Sequence, residues 1–258
     1  MRMTETVSSR WEKFHSAGVQ LVAEGRLERA EGAFRIAISA AESMGAFDPR
    51  LANSIAALAR LKQQQRDLDG AAPLFARALA ILERACGDSH PQVLEGLSAL
   101  AGVHVARGDL EMAEPLLKRA LSVAERAFGF DAPELAAPLN ALARFHFKRE
   151  QHRQAGPFLE RLLLLKQSLG KDHPEVATVI ASMAAMHAAL GENVAAERRW
   201  REVVSIREAK LGADDAALAP ALEGLAEVCA AQRKHADAVT QLERALAIRE
   251  LRFGGEHA

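Results

Sequence analysis

Gly87-Asp88-Ser89-His90-Pro91-Gln92-Val93, GDSHPQV, sets an acid, a hydroxyl and an imidazole side by side, and Gly170 to Val176 reads GKDHPEV. One copy would suit a fragment of an active site or a metal loop. Two copies read as punctuation, and the glycines that open them set a ruler. Gly45, Gly87, Gly129, Gly170, Gly212 and Gly254 follow one another at intervals of 42, 42, 41, 42 and 42 residues. Behind them come Pro49, Pro91, Pro133 and Pro174, with Ala216 in the fifth place. Self-similarity at a fixed period of this size is the mark of a repeat architecture.

Further columns appear along the ruler. Leu51, Val93, Leu135, Val176 and Leu218 are aliphatic, as are Ile55, Leu97, Leu139, Ile180 and Leu222. Leu58, Leu100, Leu142, Met183 and Leu225 are each followed by alanine. Within a unit the apolar columns recur three or four residues apart, the helical period. Leu94 to Gly108 reads as one helix and Glu111 to Gly129 as a second, joined by a Gly-Asp turn. The second is expected to stop at the ruler glycine in a left-handed conformation. The next helix opens at proline, behind a polar cap such as Asp48, Ser89, Asp131, Asp172, Asp214 or Asp215. His90 and His173 then need no chemistry of their own, because the equivalent places hold Asp48, Ala132 and Asp215.

Paired helices with this signature resemble the tetratricopeptide repeat, and the 42-residue period resembles its kinesin-light-chain subtype. GDLEMAEPLLKRALSVAERAFG and LGKDHPEVATV carry the likeness most closely. A more divergent first unit places Phe14, Ala17, Gly18, Leu21, Gly25, Ala30, Phe34 and Ala37 on the general columns of the family. The resemblance implies an all-α fold: a right-handed superhelical solenoid of about six antiparallel hairpins, in units of approximately 8–45, 46–87, 88–129, 130–170, 171–212 and 213–254. One hairpin cannot bury its own apolar face, whereas stacked hairpins share a core.

Composition limits the function. Hydrophobic residues make up 49% and charged residues 26%, as in a foldable chain. A net charge of -1 without blocks of like charge gives no reason to expect nucleic acid or an anionic membrane as partner. No apolar run reaches the length of a membrane span. The opening MRMTETVSSRWEKF has no apolar core of a secretory signal, so a cytoplasmic location is expected. Arginine-rich, alanine-rich usage points to a GC-rich bacterial genome. Phosphate loops, nucleophile elbows, HExxH and CxxC are missing from the sequence, and neither enzyme activity nor a cofactor is expected.

Several residues invite chemistry and have a plainer reading. His104, His146 and His187 share a column with Lys62 and Cys229, and stacked repeats would hold them too far apart for one metal. Cys86 and Cys229 lie more than three repeats apart, too far for a disulfide, and read as small buried groups. Trp200 falls in the column of Phe75, Leu117 and Leu159 and reads as core, with Arg198, Arg199 and Arg201 around it on the surface. Leu164 matches Ala80, Ser122, Ser205 and Ala247, an outward column.

The family uses the first helix of each hairpin to line its concave face. The residues this assigns to partner binding are Asn53, Arg60, Gln63 and Gln64 in the second unit, and Ser98 and Val105 in the third. Asn140, Arg144, Phe147 and Lys148 follow in the fourth, and Thr178 in the fifth. Arg60, Arg144 and Lys148 give this lining positive charge, Glu223 and Glu227 make its far end negative, and Phe147 is expected to be an exposed aromatic. The expectation is a non-catalytic scaffold binding a protein or peptide with acidic groups beside an apolar anchor. The family's frequent LNNLA window appears as IAALA, LSALA, LNALA, IASMA and LEGLA, so only Asn140 keeps its asparagine. A second expectation is self-association, or a regulatory domain of a larger protein, through the solenoid ends. Leu251 would be the contact, in the last helix before FGGEHA.

Overall fold

The structure is a computed structural model that describes residues 6–253; Gly254, the last mark of the ruler, and the remainder of FGGEHA lie outside that range. Twelve α-helices run through the described residues, with no strand. They are α1 (Val7–Ala23), α2 (Leu27–Glu42), α3 (Pro49–Gln64), α4 (Leu68–Cys86), α5 (Pro91–Arg107), α6 (Leu110–Phe128), α7 (Ala136–Lys148), α8 (His152–Gln167), α9 (Pro174–Ala189), α10 (Asn193–Leu211), α11 (Ala219–Ala231) and α12 (His235–Phe253). Each odd-numbered helix packs on the helix that follows it as an antiparallel hairpin; we call these the A and B helices. The chain divides into two compact units, one through Phe130 and one from Asp131, each holding three hairpins. In the first, α2 packs on α3 and α4 on α5; in the second, α8 packs on α9 and α10 on α11.

The repeating columns form the core. Ala30, Ala71, Ala113, Ala155, Ala196 and Ala238 occupy one position in six B helices, and all are buried. Alanine there lets helix axes approach, while Phe34, Phe75, Leu97, Leu139, Leu159 and Ile180 fill the spaces between them.

Two kinds of joint separate the helices. Inside a hairpin the A helix ends in a Schellman turn, its last exposed carbonyl capped by an N–H five residues on. Arg26, Asp67, Asp109, Gln151, Glu192 and Lys234 donate to Leu21, Lys62, His104, His146, His187 and Cys229, each at 2.9 Å. The left-handed residue is Gly25, Gly108 or Gly191 in three hairpins and Arg66, Glu150 or Arg233 in the others. Between hairpins the requirement is stricter. Gly87, Gly129 and Gly212 combine φ of 85°, 91° and 93° with ψ of 158°, 169° and 163°. This is not the left-handed helical region the sequence suggested but the extended mirror region, which only glycine enters cheaply.

The caps also differ from expectation. His90 and His173, rather than Ser89 and Asp172, close α5 and α9. In each, Nδ1 accepts the N–H two residues on at 3.2 Å, as Asp48 does at 2.9 Å and Asp215 at 2.8 Å. The two histidines of the opening motif thus serve as helix caps. In the fourth and sixth hairpins the A helix starts late, behind 3-10 turns at Pro133–Leu135 and Ala216–Leu218. Pro138 and Pro220 have no N–H to offer the carbonyls of Glu134 and Ala216, so the first turn tightens.

Candidate functional site

A groove of about 250 Å3 opens in the first unit, lined from α1, α3, α4 and α5. Ala56, Ala78 and Ala99 keep it open, and Phe75, 1% exposed, forms its floor. Polar groups stand around it: His15, Asn53, Arg60, Gln92 and Glu95. Asn53 and Arg60 are exposed, and Arg60 makes no ion pair with the described residues. Of the expected binding residues in this unit, Asn53 and Arg60 meet here. Gln63, Gln64 and Ser98 are exposed on the same A helices but outside the groove, and Val105 is half-buried.

His15 and Trp11 were not singled out from the sequence. Trp11 Nε1 donates to Ser54 Oγ at 2.9 Å, and that oxygen lies 3.0 Å from Nδ1 of His15. The two rings stack at 5.2 Å. Ser54 is fully buried, so this cluster fixes α1 against α3 and one wall of the groove with it. Burial holds the His15 imidazole below its usual pKa. The signal in the sequence was Ser54, a hydroxyl facing the core from an otherwise apolar stretch.

Two grooves open among the described residues of the second unit. One, of about 450 Å3, is lined by Asn140, Thr178, Leu162 and Val179 with Lys166 and Glu175, which pair with each other. It gathers Asn140 and Thr178. Arg144 and Lys148 are exposed on α7. Phe147 departs from expectation: it is half-buried, with its ring 5.5 Å from that of His152, and serves hairpin packing rather than an open face.

The other groove, of about 430 Å3, lies between α9 and α11. Ala185, Ala188, Ala189 and Ala231 form its walls, Glu227 stands at its side, and Trp200 reaches it from α10. Trp200 is half-buried rather than core. Its ring fits because Gly224 faces it: a Cβ on Gly224 would lie 2.6 Å from the indole carbons. Beside it Glu197, 3% exposed, accepts from Lys234 Nζ and Gln232 Nε2, both at 2.7 Å, and pairs with Arg201 at 2.5 Å. The bond from Lys234 holds its carboxyl below the usual range. This network ties α10 to the turn between α11 and α12. Glu223 pairs with Arg249, which leaves Glu227 as the outward charge of α11.

The column of three histidines has a local use. Nδ1 of His104, His146 and His187 meets Asp109, Gln151 and Glu192 at 3.4, 3.0 and 2.6 Å. Each ring closes its own hairpin turn. Cys229 is buried as expected, whereas Cys86 is only half-buried.

The hairpin geometry, the alanine columns and the A-helix grooves meet in one comparison. A sequence model of the tetratricopeptide repeat matches residues 56–126 and 178–250, more than half of the chain. The chain belongs to the tetratricopeptide repeat family. Among solved structures it is similar to the kinesin light chain nearly identical TPR-like repeats of Podosopora anserina, at 24% identity and a TM-score of 0.71, covering 79% of this chain and 96% of that one. BtubC (BKLC) from P. vanneervenii matches at 21% identity and a TM-score of 0.70, over 96% of this chain and 94% of that one. YrrB, described as a TPR protein with an unusual peptide-binding site, matches at 17% identity and a TM-score of 0.55, over 85% and 96%. No curated protein sequence matches the chain. The fold of this tetratricopeptide repeat chain is thus similar to that of kinesin-light-chain-like repeats. Among its described residues no helix is long and apolar enough to cross a membrane.

Proposed function

We infer that this tetratricopeptide repeat protein is a non-catalytic cytoplasmic scaffold that binds a protein segment on the face formed by its A helices. Proteins with this fold serve protein–protein interaction in general. The observation that carries the reading is Arg60: an exposed guanidinium without an ion pair, on a groove with an alanine-lined wall and the amides of Asn53 and Gln92 beside it. Guanidinium suits a carboxylate, the amides suit a peptide backbone, and the small walls suit an apolar side chain. The partner is therefore a segment with acidic groups beside an apolar anchor, and Asn140, Arg144, Lys148 and Thr178 extend the same chemistry in the second unit. The test is recovery of partners from native lysate by wild type and by an Arg60→Glu/Arg144→Glu/Lys148→Glu variant. Loss from the variant alone, with its helical content and melting unchanged, supports the reading. Equal recovery overturns it.

A second reading rests on α12. Leu242 and Leu246 continue columns in which Phe75, Leu117, Leu159, Leu79, Leu163 and Val204 are buried, yet they are 49% and 45% exposed, and Leu251 is 73% exposed. A second copy of this chain would cover that stripe. Sedimentation shows it directly: Leu251→Arg/Leu246→Arg should dissociate an oligomer, and a wild type that stays monomeric at high concentration removes the reading.

A further inference from the structure

Arg60 and Glu227 occupy the same repeat column, which runs Val19, Arg60, Gly102, Arg144, Ala185, Glu227. One column thus presents a cation to the groove of the first unit and an anion to the α9–α11 groove of the second. Around Glu227 the walls are Ala185, Ala188, Ala189, Val228 and Ala231, with the half-buried Trp200 ring between them. Asn193 also lines the groove, and Glu227 is the one charged residue among those lining it. Glu227 is exposed and makes no ion pair with the described residues, while its neighbour on the next turn, Glu223, is held by Arg249. The first-unit groove balances Arg60 against Glu95 across its walls; among the residues lining this one, nothing balances Glu227.

The geometry points to a pocket for a lysine or arginine side chain of a bound peptide, its methylene stem lying between the alanines and Trp200 and its charged end meeting the Glu227 carboxylate. Such side chains are amphipathic, with an apolar stem and a charged head, and the arrangement matches them part for part. The indole face adds attraction for a cation in its vicinity. Alanine on four wall positions leaves room for the stem, where a longer side chain would fill the groove. Gly224 contributes by letting the ring settle between the helices instead of being pushed into the opening. This inference rests on the reading that A-helix faces bind a partner, and it names what one of those faces selects.

The experiment uses the full chain labelled with 5-fluorotryptophan. The sequence has two tryptophans, Trp11 and Trp200, so the 19F spectrum holds two resonances, assigned with Trp11→Phe. The probes are the blocked pentapeptide Ala-Ala-Lys-Ala-Ala and its norleucine and glutamate counterparts. The lysine peptide should shift the Trp200 resonance saturably and leave Trp11 in place. It should bind about five- to ten-fold more tightly than the norleucine peptide, the weight of one partly desolvated charge contact. Glu227→Gln should remove that preference while keeping the norleucine response. Equal affinity for lysine and norleucine, a preference for glutamate, an unchanged preference in Glu227→Gln, or no saturable shift with any peptide each overturns the assignment. Ala188→Leu should block all three peptides without altering the Trp11 resonance; undiminished binding also overturns it. Failure here is distinguishable from failure of the scaffold reading, since partner loss on charge reversal at Arg60, Arg144 and Lys148 is read independently of Trp200.

Discussion

The groove of the first unit and the α9–α11 groove of the second share three repeat positions in their linings and differ at each of them. Phe75 facing Ala99 becomes Trp200 facing Gly224, Arg60 becomes Ala185, and Glu227 stands where the first unit has Gly102. In the other joints inside each unit the same pair of columns holds Phe34 with Ala57 and Leu159 with Ser182. Volume is therefore traded across the joint: the largest side chain on a B helix faces the smallest residue on the following A helix. The trade is incomplete in the second unit. Phe75 is enclosed at 1% exposure, whereas Trp200 keeps part of its ring on the groove. A repeat can thus turn a core position into a contact surface by exceeding the space its neighbour provides.

The strongest way to break this comparison is to empty the two floors. Phe75→Ala removes a fully enclosed ring, and a loss of about 3–5 kcal/mol is expected. Trp200→Ala gives up a ring already partly in solvent and should cost about 2 kcal/mol. Urea denaturation of the two variants checks the order. Equal losses would mean that Trp200 is as much core as its column suggests.

The volume trade is tested next by Gly224→Ala. A methyl group there would sit 2.6 Å from indole carbons, so the ring must move, and overpacking of this kind costs about 1–3 kcal/mol. Trp200→Leu in the same chain should recover most of that loss, because it approximates the pairing of Leu159 with Ser182. A double variant no more stable than Gly224→Ala alone would show that the two residues are not coupled.

Periodicity made the hairpins, the alanine columns and the A-helix faces legible before any coordinates, because each is a property of one position repeated many times. What it hid are departures that depend on a single neighbour. Trp200 looked like core because its column is core; only the pairing with Gly224 reveals the misfit, and that pairing crosses two helices. Phe147 looked exposed because its column lies on the A-helix face, yet Val105, Phe147 and Ala188 in that column are all half-buried. The His152 ring lies beside that of Phe147. The late starts of α7 and α11 were written in Pro138 and Pro220, but the repeat ruler, which places the helix start at Pro133 and Ala216, masked the effect of a proline inside the first turn. His90 and His173 were read correctly as loop residues, and their capping role escaped because imidazole is a rarer cap than aspartate. Asn53 with Arg60, and Asn140 with Thr178, do meet in grooves; Gln63, Gln64 and Ser98 do not, since a groove narrows between helices while a repeat column runs along all of them.

The smallest expected effect separates the grooves by pH. His15 lines the first groove, and no histidine lines the α9–α11 groove. In the folded chain Ser54 Oγ accepts from Trp11 and lies 3.0 Å from Nδ1 of His15, so its hydroxyl proton is directed at the neutral ring. Protonation places a second hydrogen in that contact and turns a buried hydroxyl away from its acceptor. Burial lowers the folded pKa below the ordinary value of 6.5. The unfolded chain therefore binds the proton first, and the sign follows: the contribution of His15 is complete above pH 6.5 and is lost as pH falls through the lowered folded value. Urea midpoints measured at about pH 7.5 and about pH 5.0 should fall more for wild type than for His15→Gln, which carries no titrating group in this window. If both chains lose the same stability, the titration of His15 is not linked to folding, and the wall of the first groove is held by Trp11 and Ser54 without it.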